Sequence, residues 1–318
     1  MNKKVAIAIV GPTGTGKSEA ALDVAQALSP AEILSIDSMQ VYRGMDIGTA
    51  KLPVPFRREI PHHLLDIIEP DKSMSVSLFR EMAIHKMEEL DAEGKRSILV
   101  GGTGLYLNAI QYELNFGTEG ADELYRTKLK EIANNEEGKK QLYEQLREID
   151  PQTADKLHYH DINRVIRALE IYHLTGKRKS DLDQIKYEEG PFHVLIYGLT
   201  LPRPQLYRRL DHRTEKMLQQ GWIEEVQKLI EAGIDFCKEG GAGQAIGYAE
   251  IASYLRGELS YDTMADLIKK NTRRYAKRQW TWFRHLKQIT WFDESEFNSV
   301  YERNKALICR IKSDLFEF

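Results

Sequence analysis

The chain is poor in cysteine: Cys237 and Cys309 are the only two in 318 residues. One pair makes no disulfide framework, and no CxxC spacing is present to hold a metal. An excess of positive charge is also lacking. The formal net charge is −3, so the protein is no basic coat for nucleic acid, and any such surface must be local. No apolar run approaches a membrane span. The opening MNKKVAIAIVGPTG has only about six apolar residues before its glycines, too short for a signal-peptide core, and reads as a strand. Repeats and low-complexity tracts are missing. The histidines, His62-His63 and His158/His160 among them, show no metal spacing and read as packing or surface groups. These absences together predict a reduced, cytoplasmic setting.

What is present is ordinary for a soluble globular protein, with 42% hydrophobic and 29% charged residues. The length fits one large domain or two modest ones. Val5–Val10 is a continuous apolar run, as in a buried parallel strand. A helix is expected in SEAALDVAQAL, a second strand over Ala31–Asp37 and a helix over Ser77–Lys95. Ser97–Tyr106 reads as a strand entering a glycine turn. Alternating strand, glycine turn and helix predict an α/β fold of the P-loop NTPase type, a parallel sheet flanked by helices. From about Ala121 to about Lys186 the texture becomes charged and helical, with no strand-like run, which predicts a helical insertion. The domains are therefore expected at 1–118 with 190–318 for the core and 119–189 for the insertion. Strand texture returns over Phe192–Leu201; helices are expected over Pro204–Ala232 and Tyr248–Arg284, and a last strand over Gln288–Phe292.

Gly11-Pro12-Thr13-Gly14-Thr15-Gly16-Lys17-Ser18 fits G-x-x-x-x-G-K-[ST] at every position, with a strand before it and a helix after. Glycines let backbone N–H groups converge on an anion, and the helix adds its positive end. Lys17 supplies a full charge, and the Ser18 hydroxyl suits Mg²⁺. The motif establishes a polyphosphate site without specifying a nucleotide. Asp37 lies beside it at a strand end, where doubly wound sheets bind ligands. It could hold a metal, take a proton from a nucleophile, or, like Ser38, simply cap a helix. No clear four-residue apolar run ends in Asp later in the chain, so the second metal-binding acid usual in ATPases is absent or replaced by Asp37. Gly101–Gly104 ends another strand on the same edge and could be a plain turn.

The segment KKNTRRYAKRQWTWFRHLK, 269–287, holds Lys269, Lys270, Arg273, Arg274, Lys277, Arg278, Arg284 and Lys287, with no acid. Tyr275, Trp280, Trp282 and Phe283 are interleaved. Such a run is commonly a solvated face with core tryptophans. In a net-negative chain it also has the composition of an RNA surface. NRVIRALEIYHLTGKRK, 163–179, repeats the texture more weakly. A P-loop small-molecule kinase would explain the phosphate loop but not this helix, and an ATP-dependent RNA-binding protein is a third reading.

In GPTGTGKS, DSMQVYRGMDIGTAK, PHHLLDI, GGTGLY, INRVIRALEI, LYRRLDHR, QAIGY and AKRQWTWFR, nearly the whole chain resembles the tRNA dimethylallyltransferases. Ala249 departs from the pattern, standing where a basic residue is expected, which implies one weaker RNA contact. The resemblance implies transfer of a dimethylallyl group from dimethylallyl diphosphate to N6 of adenosine 37 in the tRNA anticodon stem-loop, with diphosphate leaving. It implies Asp37 as general base, Thr13 near the donor, Lys17 and Arg209 on the leaving group, and Mg²⁺ at Ser18. It further implies tRNA contacts at Asp37, Ser38, Met39, Gln40, Thr103 and Arg126. Others fall at Asn163, Arg164, Val165, Ile166 and Arg167, and at Gln244, Ala245, Ile246, Gly247 and Tyr248. The last set is Lys277, Arg278, Gln279, Trp280, Thr281, Trp282, Phe283 and Arg284. The insertion would clamp the anticodon arm, and the enzyme would act as a monomer, away from membranes.

Overall fold

The computed structural model describes residues 4–113, 122–183, 188–237, 240–286 and 288–317. The expected insertion limits at Ala121 and Lys186, the boundary at 118/119 and the cation Lys287 lie outside them. The chain divides into two compact units, Met1–Gln111 with Glu189–Phe318, and Tyr112–Glu188.

The larger unit opens with β1 (Lys4–Val10), α1 (Lys17–Ala27), β2 (Ala31–Ser35), α2 (Val54–Glu59) and β3 (His62–His63). It continues through α3 (Val76–Ala92), β4 (Arg96–Gly101) and α4 (Gly104–Gln111). The smaller unit, bounded by short strands β5 (Tyr112–Glu113) and β6 (Glu188–Glu189), contains helices α5 (Glu123–Ile132), α6 (Glu136–Ile149) and α7 (Pro151–Ala154). It is completed by α8 (Ile162–Thr175) and α9 (Lys179–Asp183). The larger unit resumes with β7 (Phe192–Thr200), α10 (Arg203–Gln219), α11 (Trp222–Glu231), α12 (Tyr248–Leu255) and α13 (Tyr261–Phe283). It ends with β8 (Ile289–Asp293) and α14 (Val300–Leu315).

The sheet runs β3-β2-β4-β1-β7-β8, every pairing parallel. β1 is central: Val10 pairs with Gly101 of β4 on one side and Gly198 of β7 on the other. Its alternate side chains feed two cores, as strand periodicity requires. Ala6, Ala8 and Val10 pack with Phe79, Met87, Leu107 and Phe283 on one face. Ile7 and Ile9 pack with Ala21 and Val24 of α1 and Leu307 and Ile311 of α14 on the other. The loops after β1, β2 and β4 therefore gather at one sheet edge, where the chemistry is expected. In the smaller unit, Leu129, Leu142, Leu146, Val165 and Leu169 form a separate core.

The two long helices read from the sequence each prove to be two. The first breaks at Gly221, which takes a left-handed φ of 98°. The second restarts at Ser260, whose side chain caps α13 by accepting from the Thr263 N–H. Among the described residues no helix is long and apolar enough to cross a membrane.

Candidate active site

The phosphate loop leaves β1 at Gly11, whose φ is +138°. A Cβ there would lie 2.3 Å from the Leu199 carbonyl oxygen of β7, so only glycine fits against the neighbouring strand. α1 begins at Lys17, aiming its unpaired amides into the loop. Lys17 Nζ donates to the Pro12 carbonyl at 2.7 Å, and Thr15 Oγ1 donates to the same oxygen at 2.9 Å. Burial pulls the Lys17 ammonium down to about 7, against the opposing pull of Asp37. Ser18 sits half-buried in the first turn of α1.

β2 stops at Ser35, so Asp37 begins the following loop rather than ending the strand as expected. No helix follows it, and the capping reading fails. Asp37 Oδ1 instead accepts from the Met39 N–H at 2.9 Å, closing an Asx turn. The Ser38 N–H donates to Thr103 Oγ1 at 2.9 Å, and that hydroxyl donates on to Ser38 Oγ at 3.2 Å. The Thr103 N–H bonds the Ile36 carbonyl at 3.2 Å. Gln40 is spent within its own loop, between Ser35 Oγ at 2.9 Å and the Thr49 carbonyl at 3.1 Å. The glycine turn after β4 thus pins the Asp37 loop.

Both loops open on a cavity of about 340 Å³. Its polar lining includes Thr13, Asp37, Ser38, Arg213 and Tyr275, and Met39, Leu210, Met217, Trp222, Ala245 and Ile246 form an apolar wall. Arg213 is the residue that sequence reasoning missed, although it ends the LYRRLDHR stretch one helical turn after Arg209. It donates to Thr13 Oγ1 at 3.3 Å. Burial pulls its guanidinium below the usual arginine range, while Asp37 and Glu19 push it up. Arg209 itself is exposed. It reaches the Gly14 carbonyl at 3.4 Å but is gripped by Glu294 at 2.5 and 3.2 Å. Glu294 in turn accepts from the fully buried Arg303 at 2.8 Å, and Arg303 also donates to the Thr15 carbonyl at 3.0 Å.

A second carboxylate shapes the opposite wall. Glu225 accepts from the Asp46, Ile47 and Gly48 N–H groups at 2.8, 2.7 and 3.1 Å, and from the Tyr248 hydroxyl at 2.7 Å. Gly48 and Thr49 line the cavity beside Trp222. Tyr248, Gly247 and Ala245, expected at the RNA surface, are buried, while Gln244 is exposed and Ile246 half-buried. Tyr248 belongs to the main core, so no face of its ring is open to a nucleotide.

α13 is amphipathic. Arg274, Lys277, Arg278, Thr281 and Arg284 are exposed, whereas Ala276, Gln279 and Phe283 are buried. Two of its cations are engaged within the protein, Lys269 with Glu215 at 2.8 Å and Arg273 with Asp211 at 2.5 Å. Trp280 and Trp282 are half-buried: Trp280 packs on Trp291, centroids 5.0 Å apart, and Trp282 packs edge-on against Phe283 at 5.2 Å. Periodicity along a helix that is half core puts these rings inward. Arg278 lies over the Tyr275 ring at 5.7 Å, at the cavity.

In the smaller unit, Asn163 and Arg164 are exposed at the start of α8, whereas Val165 and Ile166 are buried in its core. Arg126 and Arg167 converge on the buried Glu170 at 2.7 and 2.6 Å. Among the described residues no group of three or more His, Cys, Asp or Glu could hold a metal ion.

The comparisons with known proteins agree with one another. The family model described as IPP transferase matches residues 40–286, and that of isopentenyl transferase matches residues 4–60. A tRNA dimethylallyltransferase of Pelotomaculum thermopropionicum is 45% identical over 93% of this chain and 92% of its own. The crystal structure of the full-length tRNA isopentenylpyrophosphate transferase of Bacillus halodurans superposes with a TM-score of 0.73 at 40% identity, covering 99% of this chain and 98% of that one. A eukaryotic dimethylallyltransferase solved acting on tRNA gives a TM-score of 0.78 at 30% identity, over 91% of this chain and 74% of that one.

Proposed function

This chain belongs to the IPP transferase family, and from that premise we propose that the cavity beside its phosphate loop carries the reaction for which its relatives are named. A dimethylallyl group passes from dimethylallyl diphosphate to N6 of adenosine 37 in tRNA. One observation supports this reading above the others: Thr13, Arg213 and Asp37 line a single cavity with an apolar wall. That cavity has an anion end, a carboxylate and a hydrocarbon surface of the kind a five-carbon chain needs.

The diphosphate lies against the loop of Gly11–Ser18, and the prenyl tail lies along Leu210, Met217 and Trp222. The adenine leaves its stack to enter from the RNA side, as bases must when an enzyme works on their ring substituents. The bond between C1 and the bridging oxygen breaks, and its electron pair goes to the diphosphate. The bond from N6 to C1 forms, and the N6 proton passes to Asp37. Negative charge grows on the leaving group, where Lys17, Arg213, Arg209 and the N-terminus of α1 meet it. Holding both reactants in line supplies much of the remaining advantage.

Magnesium fits the donors present. A hard cation that keeps its waters needs few protein ligands when substrate phosphates supply the rest. The half-buried hydroxyl of Ser18 beside Lys17 is such a ligand, and Asp37, whose charge acts on Lys17, is a nearby acid. When bound, the ion would neutralise the departing diphosphate. The exposed cations of α13 and the N-terminal turn of α8 hold the anticodon arm by its phosphates. The enzyme works as a monomer in the cytoplasm, where its RNA is.

The test is transfer itself. Label carried on the prenyl group of dimethylallyl diphosphate enters unmodified tRNA, diphosphate appears in equal amount, and ATP is not consumed. ATP hydrolysis without prenylated RNA would refute the reading.

A further inference from the structure

Gln279 stands in the middle of the cation-bearing helix, yet it is buried and touches both catalytic loops. Its Oε1 accepts from the Thr13 N–H of the phosphate loop at 2.8 Å. Its Nε2 donates to the Gly102 carbonyl at 3.0 Å. Gly102 opens the turn whose next residue, Thr103, holds Ser38 beside Asp37. The fit is close: a Cβ on Gly102 would fall 2.0 Å from Gln279 Nε2. Thr13 is fixed from the other side by Arg213 at 3.3 Å.

We infer that Gln279 is a positioning residue for the transfer reaction, not an RNA contact: its primary amide sets the spacing between the phosphate loop and the Asp37 loop. The inference rests on the function proposed above. The amide is one rigid plane that donates at one end and accepts at the other. Beside a side-chain contact to Tyr275, it bonds the backbones of the loop that takes the leaving group and of the turn that pins the base. A displacement of either loop moves Asp37 relative to the donor C1, and in-line displacement is sensitive to shifts of that size. Neither carbonyl nor amide of the bridge reaches solvent as a free group for RNA. The position also spends one phosphate-loop N–H on the protein itself, leaving the remaining amides and Lys17 for the diphosphate.

The chemistry of the bridge gives a test that packing alone would not pass. In Gln279→Glu the carboxylate still accepts from Thr13 but presents a second acceptor to the Gly102 carbonyl. Burial and that opposed carbonyl raise the new carboxyl above the ordinary glutamate range. Once protonated, the acid donates to Gly102 and accepts from Thr13, as the amide does. The full-length variant and wild type are compared in steady-state prenyl transfer to an unmodified anticodon stem-loop from about pH 6 to about pH 9. At the alkaline end the variant loses about 10–100-fold in kcat, with both KM values within about twofold. The ratio to wild type closes as the pH falls. Gln279→Met, of similar volume, shows the same loss at every pH and keeps the test decisive should the acidic variant fold poorly. A rise in the RNA KM with kcat unchanged overturns the inference in favour of an RNA contact. So does a Gln279→Glu variant that tracks wild type throughout. A wild-type protein inert toward the prenyl diphosphate overturns the reaction itself, and the inference with it.

Discussion

Glu294 grips Arg209 through two hydrogen bonds, at 2.5 and 3.2 Å, while Arg209 still reaches the Gly14 carbonyl of the phosphate loop. The pair keeps a cation at the rim of the anion site without burying it. Arg209→Ala is expected to raise the donor KM by about tenfold, the worth of one charge-assisted hydrogen bond. Glu294→Gln leaves an acceptor for Arg303 and releases Arg209, so the donor KM does not rise. Steady-state kinetics with dimethylallyl diphosphate as the varied substrate check both. A higher KM in Glu294→Gln would mean that the carboxylate holds Arg209 in its working position.

Asp37→Ala should lower kcat by about 10²–10⁴-fold, the usual worth of a general base. Its side chain closes only the local turn to Met39, so tRNA affinity is expected within about threefold of wild type. Single-turnover transfer and a filter-binding isotherm separate the two effects. An undiminished rate refutes the assignment.

Lys17 gives a pH dependence with a definite sign. Burial brings its ammonium to about 7 in the free protein. Bound diphosphate favours the charged form, so its pKa rises and binding takes up a proton wherever the pH exceeds about 7. Donor affinity therefore falls as pH rises from about 7, approaching tenfold per unit. Calorimetric titrations in buffers of different ionisation enthalpy count the proton directly. Affinity that is flat between about pH 6 and about pH 9 contradicts a titrating Lys17.

Lys277, Arg278 and Arg284 are exposed on one helix. Replacing Lys277 and Arg284 by alanine should weaken RNA binding and reduce the salt slope by about one for each phosphate left without its cation. kcat at saturating RNA stays near wild type. A slope that does not change removes these side chains from the interface.

Glu225 satisfies three consecutive backbone N–H groups and the Tyr248 hydroxyl. Glu225→Ala strands them and should cost about 2–3 kcal/mol of stability, read as a lower urea midpoint at unchanged m-value. The donor KM rises as well, because Gly48 and Thr49 form part of the cavity.

Much of the site could be read from residue order because its chemistry is local. The phosphate loop is contiguous, and β1, α1 and the parallel sheet follow from the apolar run before it and the helix after it. Asp37 is legible because a strand precedes it. Arg213 is less so, since two arginines share one helix and nothing in their order says which faces inward. Gln279 and Phe283 of α13 misled for a related reason. Composition shows cations and rings in one segment, but only packing against β8 and α4 divides them into an outer and an inner face. The bridge from Thr13 to Gln279 joins residues 266 apart in sequence, and no local pattern can announce it.

The strand that carries the phosphate loop lies between β4 and β7, and β7 begins only at Phe192. On the ribosome, β1 can meet β4 early, but its other edge waits until most of the chain has been made. At ordinary synthesis rates that is an interval of roughly 10–40 s, with an unpaired apolar edge open to wrong partners. The catalytic machinery is completed later still, since Arg213 of α10 and Gln279 of α13 follow β7. A chain released early would carry an intact nucleotide-like signature and no working enzyme.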